Sequence, residues 1–206
     1  MENTSKPKIL IIYTGGTIGM TETAQGLQPF DFSHLMDNVP KIGQLGYEID
    51  SIQFADPIDS SNMNPQYWNS IVKDIADNYD RYDGFVVLHG TDTMAYTASA
   101  LAFMLRNLRK PVVLTGSQLP IGDTREDGTE NLISALMVAA AKDEQNNPMI
   151  QEVAISFQDH IVRGCRSTKF SSTGFNAFRS FNYPELGSID LHINFAMPYL
   201  LRNQTA

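Results

Sequence analysis

The sequence predicts an α/β fold, a three-layer αβα arrangement around a mostly parallel sheet, and three observations carry that prediction. Short uninterrupted apolar runs recur at residues 9–13, 85–88, 112–115 and 153–157. Such runs mark strands covered on both faces. Segments with helical spacing lie between them, and strands alternating with helices imply parallel pairing with helices on both sides. Finally, the runs end in turns rich in glycine, threonine and serine, at the edge where sheets of this class bind ligands.

Taken in order, Ile9-Leu10-Ile11-Ile12-Tyr13 is the first strand. Residues 21–29 contain Gly26 and Pro29 and lack helical periodicity, so they read as a mobile flap rather than an element. Residues 47–54 form a second strand, followed by a polar connection at 56–63. Asn64 has the character of an N-cap, with Pro65 at the first helical position. Trp68, Ile71, Val72, Ile75 and Tyr79 then supply one apolar face at helical spacing. Phe85-Val86-Val87-Leu88 is a buried strand, and residues 94–105 form a helix that is apolar or small almost all round and should be well covered. Lys110-Pro111 restarts the chain into Val112-Val113-Leu114-Thr115. Residues 131–141 make another apolar helix, and Val153-Ala154-Ile155-Ser156-Phe157 a further strand.

Composition narrows the function classes. At 206 residues with 42% hydrophobic content the chain can bury the core of one domain, or of one domain and part of a second. Fifteen Lys and Arg against twenty-three Asp and Glu give a formal charge of −8, which repels phosphate backbones and anionic lipid. No apolar run approaches the roughly 20 residues that span a bilayer. The single cysteine, Cys165, excludes an internal disulfide and points to a reducing compartment. Residues 1–8 are polar and lead straight into a strand, unlike a signal segment. The expectation is a cytoplasmic protein that contacts neither nucleic acid nor membrane.

Two segments stand out at the predicted ligand edge: Thr14-Gly15-Gly16-Thr17-Ile18-Gly19 and His89-Gly90-Thr91-Asp92-Thr93-Met94. Each sets a threonine hydroxyl at a strand end beside glycines that admit a ligand to the backbone. Rival readings fare worse. Thr14-x-Gly16-x-x-Gly19 is a degenerate dinucleotide fingerprint, but a polar Gly/Pro loop follows where a helix should open, and no acidic residue clearly closes a second strand about 20 positions on. No phosphate-binding P-loop is present. His34, His89, His160 and His192 show no metal-ligand spacing, so no metal or other cofactor is expected. His89 reads as a strand-end residue that holds a turn. Cys165 lacks any nucleophile signature, and Ser117 does not sit in Gly-x-Ser-x-Gly.

Together, residues 13–20 and 88–98 closely resemble the bacterial-type L-asparaginase/glutaminase family. Asp59-Ser60-Ser61-Asn62-Met63, Val113-Leu114-Thr115-Gly116-Ser117-Gln118 and Arg166-Ser167-Thr168-Lys169 extend the match, in order, over about 170 residues. In particular the chain looks like the cytoplasmic type I enzymes, because periplasmic type II members typically carry Gly-Ser-Gln where this chain has Asp59-Ser60-Ser61. The resemblance implies an amidohydrolase that converts L-asparagine to L-aspartate and ammonia. Thr14 matches the nucleophile that forms an acyl-threonine ester, and hydrolysing an amide also calls for a base and oxyanion donors. Thr91, Asp92 and Lys169 match a triad in which the lysine, kept partly neutral by its setting, draws the threonine proton directly or through water. Asp92 would also bind the substrate α-ammonium. Ser60, with the backbone at Asp59 and Ser61, would hold the α-carboxylate. Gly15 or the surroundings of Thr91 would supply the oxyanion donor, and Ser117 is a further substrate-binding candidate.

The chain departs from the family pattern in two places. A tyrosine on the loop after the first strand assists the nucleophile in the family, whereas residues 21–32 contain none and Leu27 falls near its position. The group assisting Thr14 therefore stays open. Family members also carry a second α/β domain. The expected organisation is an amino-terminal catalytic domain at 1–190 and, at 191–206, the start of a link to a second domain. Homodimers or homotetramers are implied for the full-length form. Two alternatives remain: an asparaginase-like component of a tRNA-dependent amidotransferase, and a non-catalytic fragment that binds asparagine.

Overall fold

The computed structural model describes residues 6–23, 26–29 and 39–202. In chain order the elements are β1 (Lys8–Gly15), β2 (Met20–Thr23), β3 (Gly26–Pro29), β4 (Glu48–Ile58), α1 (Pro65–Asn78), β5 (Gly84–Leu88), α2 (Met94–Met104), β6 (Val112–Thr115), α3 (Gly128–Ala140), β7 (Val153–Phe157), β8 (His160–Arg163), β9 (Thr168–Lys169), β10 (Phe178–Arg179), β11 (Gly187–Ile189) and β12 (Ile193–Phe195). Eight strands form one sheet in the order β12-β11-β8-β7-β6-β5-β1-β4. The five strands from β4 to β7 run parallel, and β8, β11 and β12 extend the sheet by antiparallel pairing. The predicted class, α/β with a mostly parallel sheet, is the one observed.

Alternation along β1 explains its unbroken apolar character. Ile9, Ile11 and Tyr13 pack with Leu132, Ala135, Leu136 and Ala139 of α3, whereas Leu10 and Ile12 pack with Ile71 and Ile75 of α1 and with Met94, Ala98 and Leu101 of α2. Both faces are covered, so no polar side of the strand is needed. Each buried aliphatic side chain contributes about 1.5–3 kcal/mol relative to exposure, and this double core fixes the sheet whose carboxyl edge carries the site. α1 begins as its sequence dictates, with the Asn64 side chain accepting from the Gln66 amide at 3.0 Å and Pro65 at the first position.

Two expectations need correction. Residues 21–29, read as a flap without regular structure, contain most of an antiparallel pair, β2 with β3. Gly26 and Pro29 bound the second strand instead of excluding it, because ladder pairing between Met20 and Pro29 and between Thr23 and Gly26 needs no helical period. Helix α2 is covered on one side only. Met94, Ala98 and Leu101 are fully buried, but Tyr96 and Phe103 are 70% and 73% exposed. In the carboxyl-terminal stretch, position 190/191 falls in the turn between β11 and β12. The sheet therefore continues to Phe195, and Leu200 is buried in the core.

Candidate active site

The loops leaving β1, β4, β5 and β6 meet at the sheet's carboxyl edge, and glycines let their backbones touch. Gly16, at φ 90°, lies so close to Gly90 that a Cβ on it would stand 2.5 Å from the Gly90 nitrogen. A Cβ on Gly90 would meet the Ser60 hydroxyl at 2.6 Å, and one on Gly116 the His89 carbonyl at 2.2 Å. Side chains at these positions would drive the four loops apart. The register supplies the rest. Tyr13 pairs with Gln53 but Gly15 pairs with Ile58, so β4 carries three residues more than β1 over this step. That irregularity brings Ile58 against Gly15 (φ 135°) and delivers Asp59, Ser60 and Ser61 to the edge.

Thr14 is 1% exposed, and its hydroxyl donates to the Leu88 carbonyl of β5 at 2.9 Å. Across the same edge, Thr91, Asp92 and Lys169 come into direct contact. The Lys169 ammonium donates to Thr91 Oγ1 at 2.8 Å and to Asp92 Oδ1 at 2.7 Å. The Lys169 side chain is only 15% exposed, whereas Asp92 is 67% exposed. Lys169 reaches this position on the short β9–β10 hairpin, 78 residues beyond Thr91. Asp92 and Lys169 also line a cavity of about 300 Å³ with Ala95, Tyr96, Ser99, Ser167 and Thr168. Among the described residues, no hydrogen bond links Thr14 directly to this trio; the two threonine motifs meet through Gly16 and Gly90.

The residues predicted to hold a carboxylate are placed less uniformly. Ser60 is buried, and its carbonyl accepts from Thr93 Oγ1 at 2.7 Å. Asp59 and Ser61 are exposed. The Ser61 amide donates to Asp59 Oδ1 at 2.9 Å, and hydrogen bonds from Ser61 hold the Asp59 carboxyl below its usual range. That amide is therefore engaged within the turn, and the Asn62 amide donates to the Asp59 carbonyl at 2.9 Å. Ser117 is buried beneath the site, with its Cβ near Gly128 and its hydroxyl without a partner among the described residues. Leu27 lies in β3, and the last part of the 21–32 stretch, residues 30–32, falls outside the described residues.

Four residues that sequence reasoning passed over support these groups. Gln118 Oε1 accepts from Thr91 Oγ1 at 3.0 Å. Asp127, 4% exposed, accepts from the amides of Gln118 and Leu119 at 3.0 and 3.1 Å, although burial pushes its carboxyl above the usual range. Asn131 donates to the Gly116 carbonyl at 2.9 Å and accepts from the Gln158 amide at 2.9 Å. Thr97 completes a chain behind the second motif: Trp68 Nε1 donates to Thr97 Oγ1 at 3.0 Å, and Thr97 faces His89 Nε2 at 2.9 Å. His89 Nδ1 lies 2.7 Å from the Gly90 carbonyl, so Nδ1 donates there and Nε2 accepts from Thr97. Desolvation lowers the His89 pKa to about 4, which keeps this fully buried ring neutral. Sequence offered signals for Asp127 and Asn131, which sit at the start of a helix opening onto the motif edge; none marked Gln118 over its neighbour Ser117.

Residues 8–199 match the family model described as "Asparaginase, N-terminal". The chain belongs to the asparaginase family. L-asparaginase 1 of Escherichia coli (strain K12) is 46% identical over 192 residues, covering 91% of this chain and 55% of that one. A crystal structure of L-asparaginase I from Vibrio cholerae aligns with a TM-score of 0.83 at 42% identity, covering 97% of this chain and 58% of that one. Similarity also extends to a glutamyl-tRNA(Gln) amidotransferase component of Saccharolobus islandicus, 36% identical over 91% of this chain and 43% of that one. The chain thus spans about half the length of the curated asparaginase-family relatives it matches. Among the described residues, no helix is long and apolar enough to cross a membrane, and no group of three His, Cys, Asp or Glu could hold a metal ion.

Proposed function

We propose that this protein hydrolyses the side-chain amide of L-asparagine, giving L-aspartate and ammonia. The observation that carries this reading is the Thr91–Asp92–Lys169 contact at the same sheet edge as the buried hydroxyl of Thr14, with the two motifs in contact through the Gly16 and Gly90 backbones. Thr14 attacks the amide carbon through Oγ1, its hydroxyl proton passes by way of water to the amide nitrogen, and the C–N bond breaks to release ammonia. Water then attacks the resulting ester, releasing aspartate and restoring the Thr14 hydroxyl. The Thr91–Lys169 pair handles protons: a neutral lysine takes one from Thr91, directly or through water, and the pair returns it later. Asp92 holds the substrate ammonium, and Ser60 with the Asp59–Ser61 turn holds its carboxylate. The protein works in the cytoplasm, and its full-length form as a homodimer or homotetramer.

Ammonia release from L-asparagine, and separately from L-glutamine, tests the proposal, with Thr14→Ala and Lys169→Ala alongside. Each substitution is expected to lower kcat by about 10²–10⁴-fold, as loss of a nucleophile or proton-transfer group does. Unchanged turnover in Thr14→Ala would overturn the assignment. Strict dependence of ammonia release on tRNA would instead favour a role in a tRNA-dependent amidotransferase. The Saccharolobus relative keeps that reading open, and the net charge of −8 disfavours it. Saturable binding of asparagine without turnover would identify a binding fragment.

A further inference from the structure

Two buried hydroxyls on neighbouring strands play no part in the chemistry above. Thr115 Oγ1, at the end of β6, and Ser156 Oγ, in β7, are on residues 0% exposed, and neither has a hydrogen-bond partner among the described residues. The register sets them side by side. Val113 pairs with Ala154 and Leu114 with Ile155, so Thr115 and Ser156 are the next residues along two parallel strands. Alternation turns both toward α3, the side on which Val113 and Ala154 are packed. Across the sheet the row reads Tyr13, Leu88, Thr115, Ser156 and Ile161, and its three other members belong to the core under α3. Leu88 and Ile161 therefore flank the two hydroxyls and offer them nothing. The Ser117 hydroxyl, also without a partner among the described residues, lies against Gly128 and outside this row.

A hydroxyl buried in apolar surroundings gives up its water and must be bonded in return. The polar groups that reach these strand ends are already committed. Asn131 of α3 spans them: its Nδ2 donates to the Gly116 carbonyl at 2.9 Å and to Asp127 Oδ2 at 3.1 Å, and its Oδ1 accepts from the Gln158 amide at 2.9 Å and from Gln158 Nε2 at 3.3 Å. Both donors and both lone pairs of that side chain are used. The Thr115 carbonyl faces the other way, accepting from the His89 amide at 2.9 Å. The strands themselves part here. Their last pair is Leu114 with Ile155; beyond it β6 leaves through Gly116, and β7 reverses through Gln158 at φ 50°. Adjacent strands lie about 4.7–4.9 Å apart, which leaves no room for a third side chain between the two residues. The hydroxyl oxygens stand beyond hydrogen-bond distance of each other. One water at about 2.8 Å from each bridges oxygens up to about 5.6 Å apart.

We propose that Thr115 and Ser156 bind a single internal water between the ends of β6 and β7, where the ladder between the two strands stops. A buried water makes about two to four hydrogen bonds, and the two hydroxyls supply the first two, one as donor to the water and the other as acceptor from it. The site joins the parting strands beneath the loops of the carboxyl edge, and it does not depend on the amidohydrolase reading.

High-resolution crystal structures of the parent chain and of the Thr115→Val, Ser156→Ala double variant test the proposal directly. Density for one water within about 3.2 Å of both hydroxyls, lost in the double variant, supports it. Hydroxyls turned onto protein carbonyls, or no shared water in the parent, overturn it. Thermal melts add a sign. Removing a bare buried hydroxyl stabilises a fold, whereas removing one of the two partners of a bound water destabilises it. Thr115→Val, nearly the same shape as the parent residue, is therefore expected to lower the melting temperature by roughly 2–4 °C; an unchanged or raised value overturns the proposal. The double variant should melt higher than the sum of the two single shifts predicts, because the second substitution removes a partner from a water already lost. Strictly additive shifts would identify two independent hydroxyls and overturn it as well. If the double variant fails to fold, the parent structure and the Thr115→Val melt decide.

Discussion

The buried histidine at the end of β5 makes stability depend on pH in a definite direction. In the folded chain His89 is neutral, donating through Nδ1 to the Gly90 carbonyl and accepting at Nε2 from Thr97, and its pKa is lowered to about 4. In the unfolded chain the ring titrates near 6.5. A group whose folded pKa is depressed contributes stability that is fully present above the unfolded value and is lost as pH falls through the folded one. From the two values, His89 costs the fold about 2 kcal/mol at pH 5 and about 3 kcal/mol at pH 4, with almost nothing lost at pH 7. The assay is urea unfolding at equilibrium, at pH 7, 6, 5 and 4, of the parent protein and of His89→Gln, which cannot titrate here. At pH 7 the parent should be the more stable by the worth of the native hydrogen bonds and packing. That gap should narrow by about 2 kcal/mol by pH 5. A gap of constant size from pH 7 to pH 4 would refute the claim that the ring is neutral in the fold.

Two further perturbations probe the frame of the site. Gly16→Ala puts a Cβ 2.5 Å from the Gly90 nitrogen at φ 90°, so it is expected to destabilise the fold by about 2–4 kcal/mol and to lower kcat along with the melting temperature; an unchanged melt would contradict the contact. Asp127→Ala leaves the Gln118 and Leu119 amides without their acceptor and takes one of two acceptors from the Asn131 side-chain amide, for an expected loss of about 3 kcal/mol in denaturant unfolding. Asp127→Asn, which keeps one acceptor oxygen and removes a charge that burial disfavours, should lose less.

The parts of the fold legible in the sequence are those in which one segment reports its own surroundings. Residues 9–13 are apolar without alternation because helices cover both faces of β1, and a run of side chains suffices to say so. Asn64 and Pro65 announce a helix start because a cap is a contact between neighbours. The antiparallel extension is different. The reversal between β7 and β8 turns at Gln158 with φ 50°, a conformation that glycine and asparagine mark and glutamine does not. Strands β11 and β12 are three residues each, too short for a periodic signal. The site divides similarly. Threonine at a strand end beside glycine is local and visible, whereas the approach of Lys169 to Thr91 spans 78 residues and entered only through a family resemblance. Ser117 and Gln118 show why adjacent residues are hard to rank: one is buried towards Gly128 and the other reaches Thr91, and only the path of the turn decides which.

The glycine contacts at the carboxyl edge have a consequence for how this end of the molecule opens. Gly16 rests on Gly90, Gly90 on Ser60, and Gly116 on the His89 carbonyl, each at a separation that leaves no room for a methyl group. Backbones in such contact cannot be exposed to solvent one at a time. The amides of Thr17, Thr91 and Ser117 therefore belong to one cooperative unit, and their hydrogen exchange should share a single opening free energy instead of grading from loop to loop. Four loops drawn from four strands would then behave kinetically as a single plate, and any motion that admits a substrate has to occur above that plate and not within it.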